Sequence, residues 1–267
     1  MLRDINGLKG LTIHATDGEL GEVDDFCFDD QTWNLRYLVV RTGGWLSGRK
    51  VLISTAALKR EPDLRARALP VLLTREQVRN SPDIDTDKTV TRLHELELHK
   101  HYAWPLYWGE GFYAGSMSGG TLFPESPEAE ERAGTTQDRE PPPETHLQST
   151  RAVTGYRLHA ADGTIGHVEN FIIDDARWAI RYLVADTGNW LPGRKVLVSP
   201  HWIESVDWET SEVYVDLTRL AIEASPEYDP SQPVSEDYES ALYDHYGRPK
   251  LEKAAERDAA ATRTGRR

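Results

Sequence analysis

The chain has 267 residues, of which 39% are apolar, and it carries a formal net charge of −13. This length and composition suit a globular protein, whereas the surplus of acidic residues disfavours broad electrostatic binding to nucleic acid or anionic lipid. A single cysteine, Cys27, excludes an intramolecular disulfide. No stretch approaches the roughly 20 apolar residues of a membrane span, and the amino terminus lacks the apolar core of a secretory signal, so we expect a cytoplasmic protein.

Much of the sequence is a repeat. Pairing Gly10 with Gly155 and continuing to Ser54 and Ser199 requires no gap, and more than half of the paired residues are identical. A fixed-offset repeat of this length predicts two copies of one domain. We place the first copy at residues 1–109 and the second copy at residues 151–249.

Each copy begins with a predicted β-rich part. Asp17-Gly18 and Asp162-Gly163 are typical of a tight hairpin turn. The segment that follows the turn has apolar residues on both faces, which fits a strongly curved strand in a small barrel. In the first copy the clearest predicted strands are residues 11–15, 22–29, 33–41 and 51–54, and their counterparts occur in the second copy. Weaker strands are expected within residues 58–73 and 203–217.

Each copy ends with predicted helices. Thr74 and Gln77 have the spacing of a capping box that opens a short helix before Ser81. Thr91 and Ser235 are suitable N-caps for a second helix in the respective copies. Each repeat is therefore predicted to be a β-barrel with a helical tail.

The copies are separated by a segment of different composition. Residues 110–150 contain 8 acidic and 2 basic residues, several glycines and three consecutive prolines, so we expect a flexible acidic linker. Residues 250–267 are rich in alanine and charge and are predicted to form a disordered tail. Because the two copies share one surface pattern, we expect them to pack against each other about a pseudo-twofold axis.

The pattern DGxxGxVxxFxxDDxxWxxRYLVxxTGxWLxGRKVLxS, at residues 17–54 and again at 162–199, resembles a PRC-barrel domain. This family is named after the cytoplasmic domain of the photosynthetic reaction centre H subunit, and it also occurs in a ribosome maturation factor. The resemblance implies a mainly β fold made of two tandem small β-barrels. It also implies a bacterial module for protein–protein contact, with no catalytic residues and no cofactor.

Three functions follow from these observations. The favoured one is a non-catalytic protein-binding or scaffold module whose partner is a protein of unknown identity. The alternatives are an accessory protein of a photosynthetic membrane complex, by analogy with the H subunit, and an enzyme of unrecognised type.

Both copies keep a Trp-Leu-x-Gly-Arg-Lys loop, at residues 45–50 and 190–195. A tryptophan beside a guanidinium is a common anchor at interfaces, although the same loop could be retained because its tryptophan packs beneath it. The candidate partner-binding residues are Trp45, Arg49 and Lys50 in the first copy and Trp190, Arg194 and Lys195 in the second.

Other polar clusters suggest no site. His94, His99 and His101 lie on one predicted helix at spacings that do not share a face, so no metal site is predicted. The pairs Asp29-Asp30 and Asp174-Asp175 are typical of turns. The aromatic run at residues 101–113 either covers an apolar surface of the first copy or docks a partner.

Overall fold

Residues 1–59, 62, 64–83, 90–108, 146–188 and 193–249 are described by the computed structural model of the chain. Within these ranges the protein is mainly β, with thirteen strands in two sheets and five α-helices, which confirms the predicted class. No helix in these ranges is both long and apolar enough to cross a membrane. The predicted tail and most of the predicted linker lie outside the described residues.

The strands are short except for one long strand in each copy. Strands that precede or belong to the first copy are β1 (Leu2–Asp4), β2 (Thr12–Ala15), β3 (Gly18–Asp29), β4 (Leu35–Thr42), β5 (Lys50–Ser54) and β6 (Ala68–Pro70). The later strands are β7 (Leu147–Ser149), β8 (Arg157–Ala160), β9 (Gly163–Asp174), β10 (Ala179–Asp186), β11 (Lys195–Val198), β12 (Ile203–Asp207) and β13 (Glu212–Val215).

Three of the five helices begin at the predicted caps. The Thr74 capping box opens α1, and Thr91 and Ser235 accept hydrogen bonds from the third residues of α2 and α5. The α-helices are α1 (Arg75–Arg79), α2 (Arg92–Tyr102), α3 (Thr150–Val153), α4 (Arg219–Glu223) and α5 (Glu236–His245).

Each sheet is built around its long strand. The first sheet has the order β5-β4-β3-β2-β6, and the second has the order β11-β10-β9-β8-β13-β12. All neighbours in these orders are antiparallel except β2 with β6 and β8 with β13, which are parallel. Among the described residues no ladder joins the two end strands of either sheet, so closure into barrels stays a prediction.

The two sheets use the same pairing register. Val40 lies opposite Val51 in the first copy, and their repeat partners Ala185 and Val196 lie opposite each other in the second. Both long strands also shift register against the following strand, at Val23/Asp25 and at the equivalent place in β9. Similar sequence thus gives similar backbone pairing in both halves.

The short strand ahead of each repeated segment, which starts at Gly10 or Gly155, pairs with the long strand of the other copy. β1 is antiparallel to β9, with Leu2 opposite Asp174, and β7 is antiparallel to β3, with Leu147 opposite Asp29. The two pairings are equivalent under the repeat. Residues 147–149 fall inside the predicted linker but form a strand, because the edge of β3 offers them unpaired backbone groups.

A second contact between the copies is formed by the turns after the long strands. The amide of Leu35 donates to the carbonyl of Trp178 (2.7 Å), and the amide of Ile180 donates to the carbonyl of Trp33 (2.8 Å). The rings of Phe28 and Phe171 lie 6.1 Å apart between the sheets. The copies therefore share both backbone hydrogen bonds and an aromatic core.

A close backbone approach in each copy requires glycine. Gly166 has φ +141°, and a Cβ added there would lie 1.9 Å from the carbonyl oxygen of Asp186. Its repeat partner Gly21 has φ +150°, and a Cβ there would lie 2.1 Å from the carbonyl oxygen of Arg41. Glycine at these two positions allows β4 to pass close to β3 and β10 to pass close to β9.

Replacing this glycine should therefore destabilise the protein. We expect Gly166→Ala to lower the free energy of unfolding by about 3 kcal/mol, because the backbone must move and adopt a strained φ. The control is Gly7→Ala, where an added Cβ meets nothing within 4 Å, and it should change stability by less than about 0.5 kcal/mol. Urea unfolding measures both values, and equal stabilities of the two variants would contradict the close approach.

Candidate functional site

The Trp-Leu-x-Gly-Arg-Lys loop of the first copy is a single 3-10 turn between β4 and β5. The turn spans Gly44–Leu46 and ends at Ser47, which has a left-handed φ of 55°. The indole Nε1 of Trp45 donates a hydrogen bond to the carbonyl of Leu20 (2.8 Å). The guanidinium of Arg75 lies 4.6 Å from the centre of the Trp45 ring. Trp45 is therefore half-buried between the sheet and α1.

The two loop arginines hold the chain that follows a helix. Nη2 of Arg49 donates to the carbonyls of Ser81 (2.9 Å) and Pro82 (2.6 Å). Arg194 donates to the carbonyl of Glu223 (2.5 Å) and to that of Ser225, the repeat partner of Ser81. Each guanidinium thus satisfies carbonyls at a helix end that no helical amide reaches.

The loop lysines pair with acids on the long strands. Lys50 Nζ lies 3.7 Å from a carboxylate oxygen of Asp24, and Lys195 Nζ lies 2.5 Å from one of Glu169. Trp190 lies outside the described residues. The five described candidate residues therefore all make contacts within the chain, and the most exposed loop positions are Gly43, Gly44, Ser47 and Gly48.

A buried polar cluster under α2 was not predicted. Glu95 is fully buried, and its Oε1 accepts hydrogen bonds from the hydroxyls of Tyr37 (3.1 Å) and Tyr107 (2.5 Å). Its Oε2 accepts from Nη1 of Arg92 at 2.8 Å. The hydroxyl of Tyr37 also lies 2.7 Å from Nε2 of His99. We call these five residues the Glu95 cluster.

Burial controls the protonation of the cluster. It raises the pKa of the Glu95 carboxyl, against the opposing effects of Tyr107 and Arg92, and it raises the pKa of the Tyr37 hydroxyl. It lowers the pKa of the His99 imidazole. Both oxygens of Glu95 are already occupied by donors from within the chain. The cluster therefore attaches α2 to β4.

The second copy has a simpler version of the cluster. Glu239 accepts hydrogen bonds from the hydroxyl of Tyr182 (2.6 Å) and from Nε of Arg181 (3.3 Å). Tyr243 stands where the first copy has His99. The sequence signal was present, because Glu95 and Glu239 coincide when the two helical tails are aligned, but a glutamate on a helix gives no indication by itself that it is buried.

The aromatic run after α2 covers the first copy. The ring of Trp104 stacks on that of Tyr102 at 4.2 Å, and the ring of Trp108 lies 5.0 Å from that of His99. Trp104 and Tyr107 are half-buried against the apolar core. These contacts agree with the covering interpretation for residues up to 108, and residues 109–113 lie outside the described residues.

The helix histidines and the paired acids make contacts within the chain. His94 accepts from the amide of Thr91, and His101 Nε2 lies 2.8 Å from the carbonyl of Gln77. Asp29 accepts from the amides of Gln31 and Thr32, as expected for a turn. Within the described part of the chain, no three His, Cys, Asp or Glu side chains are arranged to hold a metal ion.

The protonation of His99 should make stability depend on pH. Because its folded pKa is lowered by burial, the unfolded state binds more protons, and the free energy of unfolding should fall as pH drops below the ordinary value of 6.5. We expect His99→Gln to remove a slope of up to about 1.4 kcal/mol per pH unit. The raised pKa of Glu95 has the opposite effect, because it lowers the free energy of unfolding as pH rises above 4.5. Glu95 is present in both the wild-type and the His99→Gln chain.

The measurement is urea unfolding of the wild-type and His99→Gln chains between pH 7.5 and pH 5.5. His201→Gln should remove a second contribution of the same sign, because burial also lowers the pKa of His201. Identical pH profiles for the wild-type and His99→Gln chains would show that His99 does not titrate as its burial requires.

Comparison with known proteins identifies part of the chain. Residues 3–75 match the family model described as PRC-barrel domain. No curated protein matches the sequence. The match begins inside β1, covers all of β2 to β6 and ends at the first residue of α1. The first copy therefore contains a PRC-barrel domain, which includes Trp45, Arg49 and Lys50.

Proposed function

We propose that the chain is a non-catalytic protein-binding or scaffold module made of two tandem PRC-barrel copies. The observation that carries this proposal is the PRC-barrel match at residues 3–75, since the family is a module for protein interaction. The second copy supports it through the shared pairing register of β8 to β11 with β2 to β5. An acidic linker within residues 110–145 and a cytoplasmic location belong to the same proposal.

We further infer that the Trp-Leu-x-Gly-Arg-Lys loops are the partner-binding surfaces. Two side-chain hydrogen bonds fix the loop in the first copy. Nε1 of Trp45 donates to the carbonyl of Leu20, and Nη2 of Arg49 donates to the carbonyl of Ser81. A loop held in this way presents its exposed glycines and Ser47 in a fixed shape, which lowers the entropy lost on binding. The roles of Trp45, Arg49, Lys50, Trp190, Arg194 and Lys195 are then to form and hold these surfaces, with the tryptophan as the anchor.

Two copies of the loop on one chain would also favour a repeated or dimeric partner. The second binding event would be intramolecular, so avidity would exceed the affinity of either loop. This effect requires only that both loops reach the partner at once.

A side chain added at Gly44 can block the loop surface without disturbing the contacts of Trp45 and Arg49. An added Cβ at Gly44 meets nothing within 4 Å, and the residue is exposed, so Gly44→Gln should fold normally and obstruct the surface. We expect this variant to lower partner recovery by at least roughly tenfold, since a misplaced side chain at the centre of an interface removes well-packed contacts. The measurement is quantitative affinity purification from the source cell.

The matched control is Gly7→Gln, where an added Cβ also has open space. Trp45→Ala should reduce both partner recovery and thermal stability, because Trp45 contributes to the packing of α1. Recovery of every co-purifying protein at wild-type levels by a folded Gly44→Gln chain would refute the first-copy loop as a binding surface.

A further inference from the structure

A groove lies between the two copies. One wall is Ile203–Val206 in β12, and the other is formed by residues 30–33 of the first copy with His146. The groove encloses about 510 Å³. It exists only where the turn of one copy meets the strand of the other.

We propose that this groove binds an extended peptide segment with a basic side chain, which adds as a further strand to the edge of β12. The proposal rests on the protein-binding function but concerns a surface different from the loops.

The strand β12 lies at the end of its sheet. It pairs with β13 on one side, and no strand in the described ranges pairs with its other side. Four consecutive residues, 203–206, line the groove. Since successive side chains on a strand point to opposite faces, a groove touched by all four runs along the strand edge and not over one face. Such an edge presents backbone donors and acceptors for an added strand.

The lining of the groove offers apolar surface for side chains of a bound strand. Trp33 and Trp208 give aromatic surface, and Ile203 and Val206 give aliphatic surface, all of them half-buried. Alternate residues of the added strand could pack against this lining. A strand binding mode of this kind takes affinity from the backbone and specificity from the pockets for alternate side chains.

The charge of the lining favours a basic ligand. The lining contains Asp30 and Glu204 but no lysine or arginine. Glu204 is exposed on β12, and Asp30 lies 3.0 Å from Nδ1 of His146 on the facing wall. Burial lowers the pKa of His201, which keeps that ring neutral near pH 7. A Lys or Arg of the peptide would therefore find the exposed carboxylate of Glu204 at the rim as its partner.

The test begins with selection of random linear peptides displayed against the intact chain. We expect enrichment of sequences in which aliphatic residues alternate with Lys or Arg. A synthetic form of an enriched peptide should bind the Glu204→Lys chain roughly tenfold or more weakly, because one charge-assisted contact is replaced by repulsion. N-methylation of alternate peptide amides should abolish binding, since it removes the donors that a ladder needs.

Two control variants show whether the peptide occupies this groove. Glu19→Lys reverses an exposed acidic charge on β3, which does not line the groove, and should keep wild-type affinity. Gly44→Gln should also keep it, so that failure of the loop proposal and failure of the groove proposal are distinguishable. The groove proposal is overturned if no peptide is enriched, if enriched peptides bind Glu204→Lys as well as wild type, if they tolerate N-methylation, or if Gly44→Gln abolishes binding.

Discussion

β1 pairs with the long strand β9, β7 pairs with the long strand β3, and this reciprocal exchange of strands holds the two copies together. Polar side-chain contacts, the anchors of this exchange, add to the backbone hydrogen bonds. The buried carboxylate of Asp25 accepts hydrogen bonds from the hydroxyls of Ser149 (2.5 Å) and Thr150 (2.7 Å). At the equivalent place in the other copy, the side-chain Nδ2 of Asn170 donates to the carboxylate of Asp4 at 2.7 Å. Burial alone would raise the pKa of Asp25, but the hydrogen bonds from Ser149 and Thr150 outweigh it and the pKa is lowered.

These anchors make separation of the copies costly. If β7 left β3, Asp25 would lose both hydroxyl donors and keep Lys9, whose Nζ lies 3.2 Å from its Oδ1. Each hydrogen bond lost from a charged group costs about 1.5–3 kcal/mol. Asp175 adds a similar contact in the other direction, since it is buried and pairs with Arg3 of β1. The groove beside β12 follows from copies that are joined in this way.

The sequence was sufficient for features set by local chemistry. The Asp-Gly turns, the β-branched runs of β4 and β10, and the caps Thr74, Thr91 and Ser235 all act within a few residues, so pattern and composition could predict them. The exchange could not be predicted in this way. The residues of β7, Leu147–Ser149, are too few to show the alternation of a strand, and they follow an acidic, proline-containing stretch that is typical of a linker.

The candidate site also divides into residues that the sequence could predict and contacts that it could not. An arginine that binds carbonyls, as Arg49 does, is indistinguishable in sequence from one exposed to solvent, so the loop residues were found but their contacts were not. The Glu95 cluster joins residues of β4, α2 and the aromatic run, and only the tertiary structure brings them together. Glutamate is rarely buried without partners, and those partners come from separate elements.

The exchanged strands should make the two copies one cooperative unit. Hydrogen–deuterium exchange on the full chain tests this directly, comparing wild type with Asp25→Ala, which removes the carboxylate that Ser149 and Thr150 bind. We expect amide protection to fall by a similar factor in β3 and β4 and in β9 and β10, because both sheets open together. Loss of protection in the first sheet alone, with wild-type protection retained in β9 and β10, would contradict cooperative opening.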